Sequence, residues 1–219
     1  MVKVTNKEVE PMCETRAEER KVIAFFGAFN PPTRGHLETA LAASEQTGLS
    51  TVLFVPSRSA YIRDSQGKDF AWPEEVRLAM LRKLAESRPW MDVCDWELRQ
   101  PSQPRTWDTL CHLRETGVRA CLLMGSDQLR DLEKGWRHVE DIVREFGIVC
   151  VARGKDDCEA LLREDPFLRA LSPGIRVVRA PEDVRNVSST EVRRRVAELR
   201  RLRAEIAALM PEEILPLLE

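Results

Sequence analysis

The sequence lacks most of the short signatures by which a chain of its size declares its chemistry. Its ten glycines include no GxG pair, which excludes the GxGxxG dinucleotide-binding fingerprint. Neither Gly67-Lys68 nor Gly154-Lys155 is followed by Ser or Thr or preceded by a glycine five residues earlier, so there is no P-loop. Six cysteines (Cys13, Cys94, Cys111, Cys121, Cys150 and Cys158) form no CxxC pair, and four of them fall inside apolar or helical patterns. That distribution argues for buried free thiols and against a thiolate metal centre or a disulfide framework. No apolar run of about 20 residues occurs, and the opening "MVKVTNKEVEPMCETRAEER" has no apolar signal-peptide core. Neither membrane spanning nor secretion is expected, and a cytoplasmic, reducing setting is the default. With 34 basic and 36 acidic residues the net charge is -2, which supplies no global field for nucleic acid or an anionic membrane.

What the chain does have is enough apolar residue for one core: 43% of 219 residues, against 32% charged. Residues 1-20 are polar without a sustained period and read as a loose extension; residues 21-219 read as a single domain. Short runs that are apolar on both pleat faces follow one another: Val22 to Phe26, Ser50 to Pro56, Met91 to Leu98, Arg119 to Gly125, Gly147 to Arg153 and Ile175 to Pro181. Strands of a covered parallel sheet have this character. Helical patterns lie between them, over His36 to Gln46, Pro73 to Ser87, Thr106 to Glu115, Asp127 to Lys134, Val139 to Glu145 and Cys158 to Leu171. The alternation predicts an α/β fold with a doubly wound, Rossmann-like parallel sheet, right-handed crossovers, and ligands at the carboxyl ends of the strands. From about Ser188 no strand signal remains, and "SSTEVRRRVAELRRLRAEIAALM" with "PEEILPLL" predicts a small C-terminal part of two or three helices.

One stretch carries a phosphate-facing design. "FFGAFNPPTRGH" (Phe25 to His36) sits after the first strand and before the first helix, where backbone amides and the helix N-terminus attract anions. Gly27 permits close backbone approach, Pro31 and Pro32 stiffen the loop, Gly35 leaves room at the helix start, and His36 stands at its end. On the residues alone, a rigid strand-to-helix turn with a capping histidine is an equally good reading.

"GAFNPPTRGH" resembles the GxFxPx(H/T)xGH element of the nucleotidylyltransferase superfamily, and within it the nicotinamide/nicotinate mononucleotide adenylyltransferases. "GSDQL" (Gly125 to Leu129), "GWRHVEDIVREFGIVCVARGKDD" (Gly135 to Asp157) and "NVSSTEVRRRV" (Asn186 to Val196) resemble further elements of the same family, in the same order. The resemblance spans most of Lys21 to Leu218, with Asp157 to Ser172 poorly matched. It implies adenylyl transfer from ATP to nicotinamide or nicotinate mononucleotide, with release of pyrophosphate. The nucleophile would be an ionised phosphate oxygen, so positioning and charge stabilisation suffice and no general base is required.

The same resemblance implies roles for individual residues. His36 and Arg193 would act on the phosphates, and the ATP site would comprise Gly27, Ala28, Phe29, Thr33, His36, Arg63, Gly125, Asp127, Asn186, Ser189, Thr190 and Arg193. The mononucleotide would meet Phe29, Asn30, Thr106, Trp107, Thr109, Trp136 and Arg153, with Trp136 stacking on the pyridine ring. Plain alternatives exist: an N-cap and solvated basic face for Ser189 to Arg195, a helix N-terminal acid for Asp127, and a core position for Trp136. Mg2+ would be carried mainly by ATP phosphates and water. Thr33 stands where many members have histidine, and "PSRSAYIRDSQGKDF" (Pro56 to Phe70) lacks the PPHK pattern, leaving Arg63 or Lys68 as the phosphate-reaching cation. The competing readings are a sister nucleotidylyltransferase for another phosphate acceptor and an ATP-binding regulatory protein without turnover. Pyridine preference and a homo-oligomeric state are left open by the sequence.

Overall fold

The computed structural model describes residues 20-64, 67, 70-152, 156-181 and 187-208. Six parallel strands form one sheet: β1 (Arg20–Gly27), β2 (Val52–Pro56), β3 (Met91–Val93), β4 (Val118–Gly125), β5 (Ile148–Ala152) and β6 (Ile175–Arg179), in the spatial order β3-β2-β1-β4-β5-β6. The order reverses between β1 and β4, and in doubly wound sheets the crevice at such a switch point is where ligands bind. Gly27 and Gly125 end those two neighbouring strands.

Both faces of the sheet are covered, as the unbroken apolar runs require. In β1, Val22 and Ala24 join one core cluster, with Leu122, Met124, Leu110 and Ile142; Ile23 and Phe25 join the other, with Phe54, Ala40, Ala43 and Leu81. The first face is packed by α4 (Thr106–Glu115) and α7 (Val139–Glu145), the second by α1 (Arg34–Thr47) and α3 (Glu74–Ala85). The outer edge of β6 is partly closed by Gln46, whose side chain donates to the Arg179 carbonyl at 2.8 Å and accepts from its amide at 3.0 Å.

Several elements differ from their sequence reading. The Met91 to Leu98 run is a strand only to Val93, because the chain then turns into a 3-10 turn at Glu97–Arg99. The Pro56 to Phe70 loop contains α2 (Ser59–Asp64). The Asp127 to Lys134 helix is two short ones, α5 (Ser126–Arg130) and α6 (Leu132–Gly135). The Cys158 to Leu171 helix is likewise split into α8 (Cys158–Glu164) and α9 (Pro166–Leu171). Asp165 causes that second break: its carboxylate caps α9 by accepting from the amides of Phe167 and Leu168, and Pro166 has no amide to continue α8. In the C-terminal part the described residues form one helix, α10 (Ser189–Ala207). Cys94, Cys111, Cys121, Cys150 and Cys158 are all free thiols. Burial raises the pKa of Cys121 to about 11, which favours the thiol over the nucleophilic thiolate.

Candidate active site

The loop from β1 to α1 is built around a ring turned inward. Phe29 is 1% exposed and adopts φ +42°, a left-handed conformation uncommon outside glycine. Its ring packs edge-on against Phe25 at 5.4 Å and against His36 at 5.2 Å between centroids, and tilts over Phe54. A Cβ on Gly27 would lie 3.1 Å from that ring, so glycine is what lets the ring tuck beneath the strand end. Phe29 therefore holds the loop from below and can offer a ligand only its backbone. Asn30 is buried too: its side chain donates to the Phe70 carbonyl at 2.7 Å and accepts from the Trp72 amide at 2.9 Å.

His36 is oriented by the turn that begins its own helix. The Thr33 amide donates to His36 Nδ1 at 3.0 Å, and the Thr33 hydroxyl lies 2.8 Å from the same nitrogen. An amide can only donate, so Nδ1 is the acceptor and the ring proton sits on Nε2. The buried Thr33 thus acts through His36, fixing its tautomer. A neutral imidazole carrying its proton on Nε2 has one hydrogen-bond donor, here at the N-terminus of a 14-residue helix.

The C-terminal helix closes over this loop. Ser189 Oγ donates to the Pro31 carbonyl at 2.8 Å, Arg193 Nη1 donates to the Asn30 carbonyl at 2.8 Å, and Arg193 Nη2 donates to Thr190 Oγ1 at 3.0 Å. The approach is close: a Cβ on Gly35 would fall 2.9 Å from the Val187 carbonyl oxygen. One cationic side chain and two helix N-termini, those of α1 and α10, therefore meet at residues 30-36.

Below the loop lies a residue absent from the sequence reading. Arg77, on α3, is 0% exposed. Nη1 donates to the Ala28 carbonyl at 2.7 Å, Nη2 to the Ser57 carbonyl at 2.7 Å and to Ser59 Oγ at 3.0 Å, and Nε to the Trp72 carbonyl at 3.1 Å. Burial lowers its pKa below the ordinary arginine value, against the opposing pull of Glu74 and Glu75.

Beside the strand ends opens a cavity of about 570 Å³ whose wall includes Gly27, Thr106, Trp107 and Trp136. Trp107 is backed by His138, stacked at 5.3 Å and 23°. Glu97 forms part of the wall and is 1% exposed. It accepts from Thr109 Oγ1 at 2.7 Å and from Gln103 Nε2, while Gln103 Oε1 accepts from the Arg58 amide at 2.8 Å. Burial raises the pKa of Glu97 to about 7, although both hydrogen bonds favour the ionised form. Arg105 and Arg137 also line the cavity; both are exposed, and neither forms an ion pair among the described residues.

The structure thus brings Gly27, Ala28, Phe29, Asn30, Thr33, His36, Ser189, Thr190 and Arg193 together at one strand end, with Thr106, Trp107 and Trp136 in the adjoining cavity. Thr109 is fully buried, its hydroxyl committed to Glu97. Asp127 is exposed on the first turn of α5, next to Ser126, whose hydroxyl donates to Asp156. The Gly125 amide donates to Gln128 Oε1, and Gln128 lines the cavity. Arg63 is exposed on the last turn of α2. Lys68, Arg153 and Asn186 lie outside the described residues. Trp72 has a role without a motif: its backbone is gripped by Asn30 on one side and Arg77 on the other. Trp96 is structural, stacked on His112 at 4.4 Å.

Comparison with known proteins places the chain in the cytidylyltransferase-like family. The cytidylyltransferase-like family model matches residues 24-195. Proteins named probable nicotinate-nucleotide adenylyltransferase align along most of the chain. The one from Neisseria meningitidis serogroup B is 33% identical over 183 residues, 81% of this chain and 88% of its own. The one from Caldicellulosiruptor saccharolyticus is 27% identical over 195 residues, 89% and 96%. Among solved structures, Plasmodium falciparum nicotinic acid mononucleotide adenylyltransferase complexed with NaAD superposes with a TM-score of 0.61 over 80% of this chain and 83% of that one, at 18% identity. At that identity the likeness is one of fold.

Proposed function

Because the chain belongs to the cytidylyltransferase-like family and aligns along most of its length with nicotinate-nucleotide adenylyltransferases, we propose that it transfers the adenylyl group of ATP to nicotinate mononucleotide, forming deamido-NAD and pyrophosphate. One observation carries the reading: the loop closed by Ser189 and Arg193 shares Gly27 with a cavity walled by two tryptophans. A triphosphate site and a flat heterocycle site thus meet at one strand end.

A phosphate oxygen of the mononucleotide attacks the α-phosphorus of ATP, a new P–O bond forms, and the α–β bond breaks to release pyrophosphate. The acceptor oxygen is already ionised, so no side chain has to remove a proton. His36 donates from Nε2 to the triphosphate, and Arg193 with the first turn of α10 holds the departing phosphates. Gly27, Ala28 and Phe29 offer backbone contacts to the nucleotide, Asp127 faces the ribose, and Thr106, Trp107 and Trp136 receive the mononucleotide. Mg2+ bound with ATP would neutralise phosphate charge and be held mainly by phosphate oxygens and water; among the described residues no group of three or more His, Cys, Asp or Glu is clustered. The cytoplasm is the setting proposed, and no helix of the described residues is long and apolar enough to cross a membrane.

Preference for the carboxylate form is supported by the names of the relatives and by Arg105 and Arg137 in the cavity wall. The test is pyrophosphate release from ATP and Mg2+ with each mononucleotide in turn. Nicotinate mononucleotide is expected to give the higher kcat/KM. A preference for the amide overturns that finer claim, and no release with either overturns the reaction.

A further inference from the structure

Arg77 is a buried cation without a direct ion pair among the described residues, offset only at longer range by Glu74 and Glu75. Its guanidinium is wholly buried, and no carboxylate lies within 4.0 Å of it among the described residues; its four hydrogen bonds go to three carbonyls and a hydroxyl, all neutral. Such a charge acts at low dielectric, where its field reaches further than that of a solvated arginine. It holds the Ala28 carbonyl of the loop whose Asn30 carbonyl is held by Arg193.

Its hydrogen bonds also set the direction of a peptide. In a trans peptide the carbonyl and the following amide point oppositely. Ser57 illustrates this: its carbonyl is held by Arg77, and the next amide, that of Arg58, donates the other way to Gln103. Holding the Ala28 carbonyl inward likewise turns the Phe29 amide outward, at a residue whose left-handed backbone needs such support. Trp72 completes the lock, with its carbonyl on Arg77 and its amide on Asn30.

We propose that Arg77 is a positioning residue for ATP, which aims the Phe29 amide at the triphosphate and supplies positive potential from beneath the loop. The proposal rests on the ATP site described above, and not on the identity of the acceptor.

Calorimetric titration of the full chain with ATP and with AMP tests it. Arg77→Met is expected to weaken ATP at least tenfold and AMP less than threefold, since the lost charge acts mainly on the extra phosphates. Arg77→Lys should fall between, through partial rescue by charge. The fitted stoichiometry measures the folded fraction, so a structural role alone would lower it while leaving the dissociation constant unchanged. ATP affinity within threefold of wild type, or equal losses for ATP and AMP, overturns the proposal. Should Arg77→Met not fold, Arg77→Lys and Ser59→Ala, which keep the cation and loosen its seat, must each weaken ATP about threefold; wild-type affinity in both is refutation. Wild-type protein that binds ATP yet adenylates no mononucleotide overturns the proposed reaction and leaves this inference standing.

Discussion

Glu97 offers a direct test of the electrostatics in the wall of the cavity beside the strand ends. Burial lifts its pKa from 4.5 to about 7, with Thr109 and Gln103 partly opposing the shift through bonds to the carboxylate. A carboxyl whose folded pKa is raised binds its proton in the native state over a range in which the unfolded chain has already lost it. Stability attributable to Glu97 is therefore full below pH 4.5 and is lost as pH rises to 7, after which the dependence is flat. At about 1.4 kcal/mol per pH decade, the loss between pH 5 and 8 is roughly 2–3 kcal/mol. With a urea m-value of about 2–3 kcal/mol/M, this corresponds to a midpoint displacement of about 1 M. Other groups titrate in the same interval, so the informative quantity is the difference between wild type and Glu97→Gln. The glutamine keeps the volume, accepts from Gln103 and donates to the Thr109 hydroxyl, but has no proton to lose. Urea unfolding at pH 5, 6, 7 and 8 should show the two proteins converging at low pH, with the variant more stable by about 2–3 kcal/mol at pH 8. Curves that stay parallel across the range would refute the argument, because they would mean that Glu97 titrates alike in the folded and unfolded states.

The remaining expectations concern the clamp and the cavity. His36→Asn retains a short acceptor near the Thr33 amide and removes the Nε2–H donor, so kcat should fall about 10²-fold or more with little change in melting temperature. His36→Gln reverses the trade, keeping more activity at a cost of about 1 kcal/mol from the weakened cap; the opposite ranking would show that Nδ1 is the catalytically important nitrogen. Gly35→Ala forces a methyl to within 2.9 Å of the Val187 carbonyl, which must move α10 off the loop. Its kcat/KM for ATP should drop about tenfold at a stability cost of about 1–3 kcal/mol, and an unchanged value would mean that the helix does not complete the ATP site. Trp136→Ala should raise the KM for the mononucleotide about fivefold, the loss of roughly 1 kcal/mol of ring stacking, while the KM for ATP stays constant; equal effects on both substrates would return Trp136 to the core.

What could be read from the sequence, and what could not, follows from the distance over which each signal acts. The strands were legible because β1, β4 and β5 are apolar on both faces within a few consecutive residues, and α4 and α7 because their apolar spacing is unbroken. The geometry of the β1–α1 loop was legible for the same reason: Gly27, Thr33, Gly35 and His36 interact with neighbours a few positions away, apart from the contact with Val187. Helix α2 escaped notice because six residues, Ser59 to Asp64, are too few to show a period.

Arg77 is the instructive case. In "EEVRLAMLRKLA" it resembles any solvated charge on a helix, and its partners lie 5, 18, 20 and 49 positions earlier. Yet Arg77, Leu81 and Leu84 fall at i, i+4 and i+7, the stripe by which α3 packs on the sheet, and Arg77 and Leu81 are the buried residues of that helix. A charge within an apolar stripe is a local conflict that only tertiary partners can resolve. Here they do so with three carbonyls that follow β2, begin the β1–α1 loop and precede α3, so one guanidinium joins segments that no short pattern connects. Replacing it with an apolar side chain would satisfy the stripe and orphan three carbonyls at once. The fold has made that exchange in the other direction, accepting a buried cation where leucine would pack and fixing the β1–α1 loop with it, as the role proposed for Arg77 in ATP binding requires.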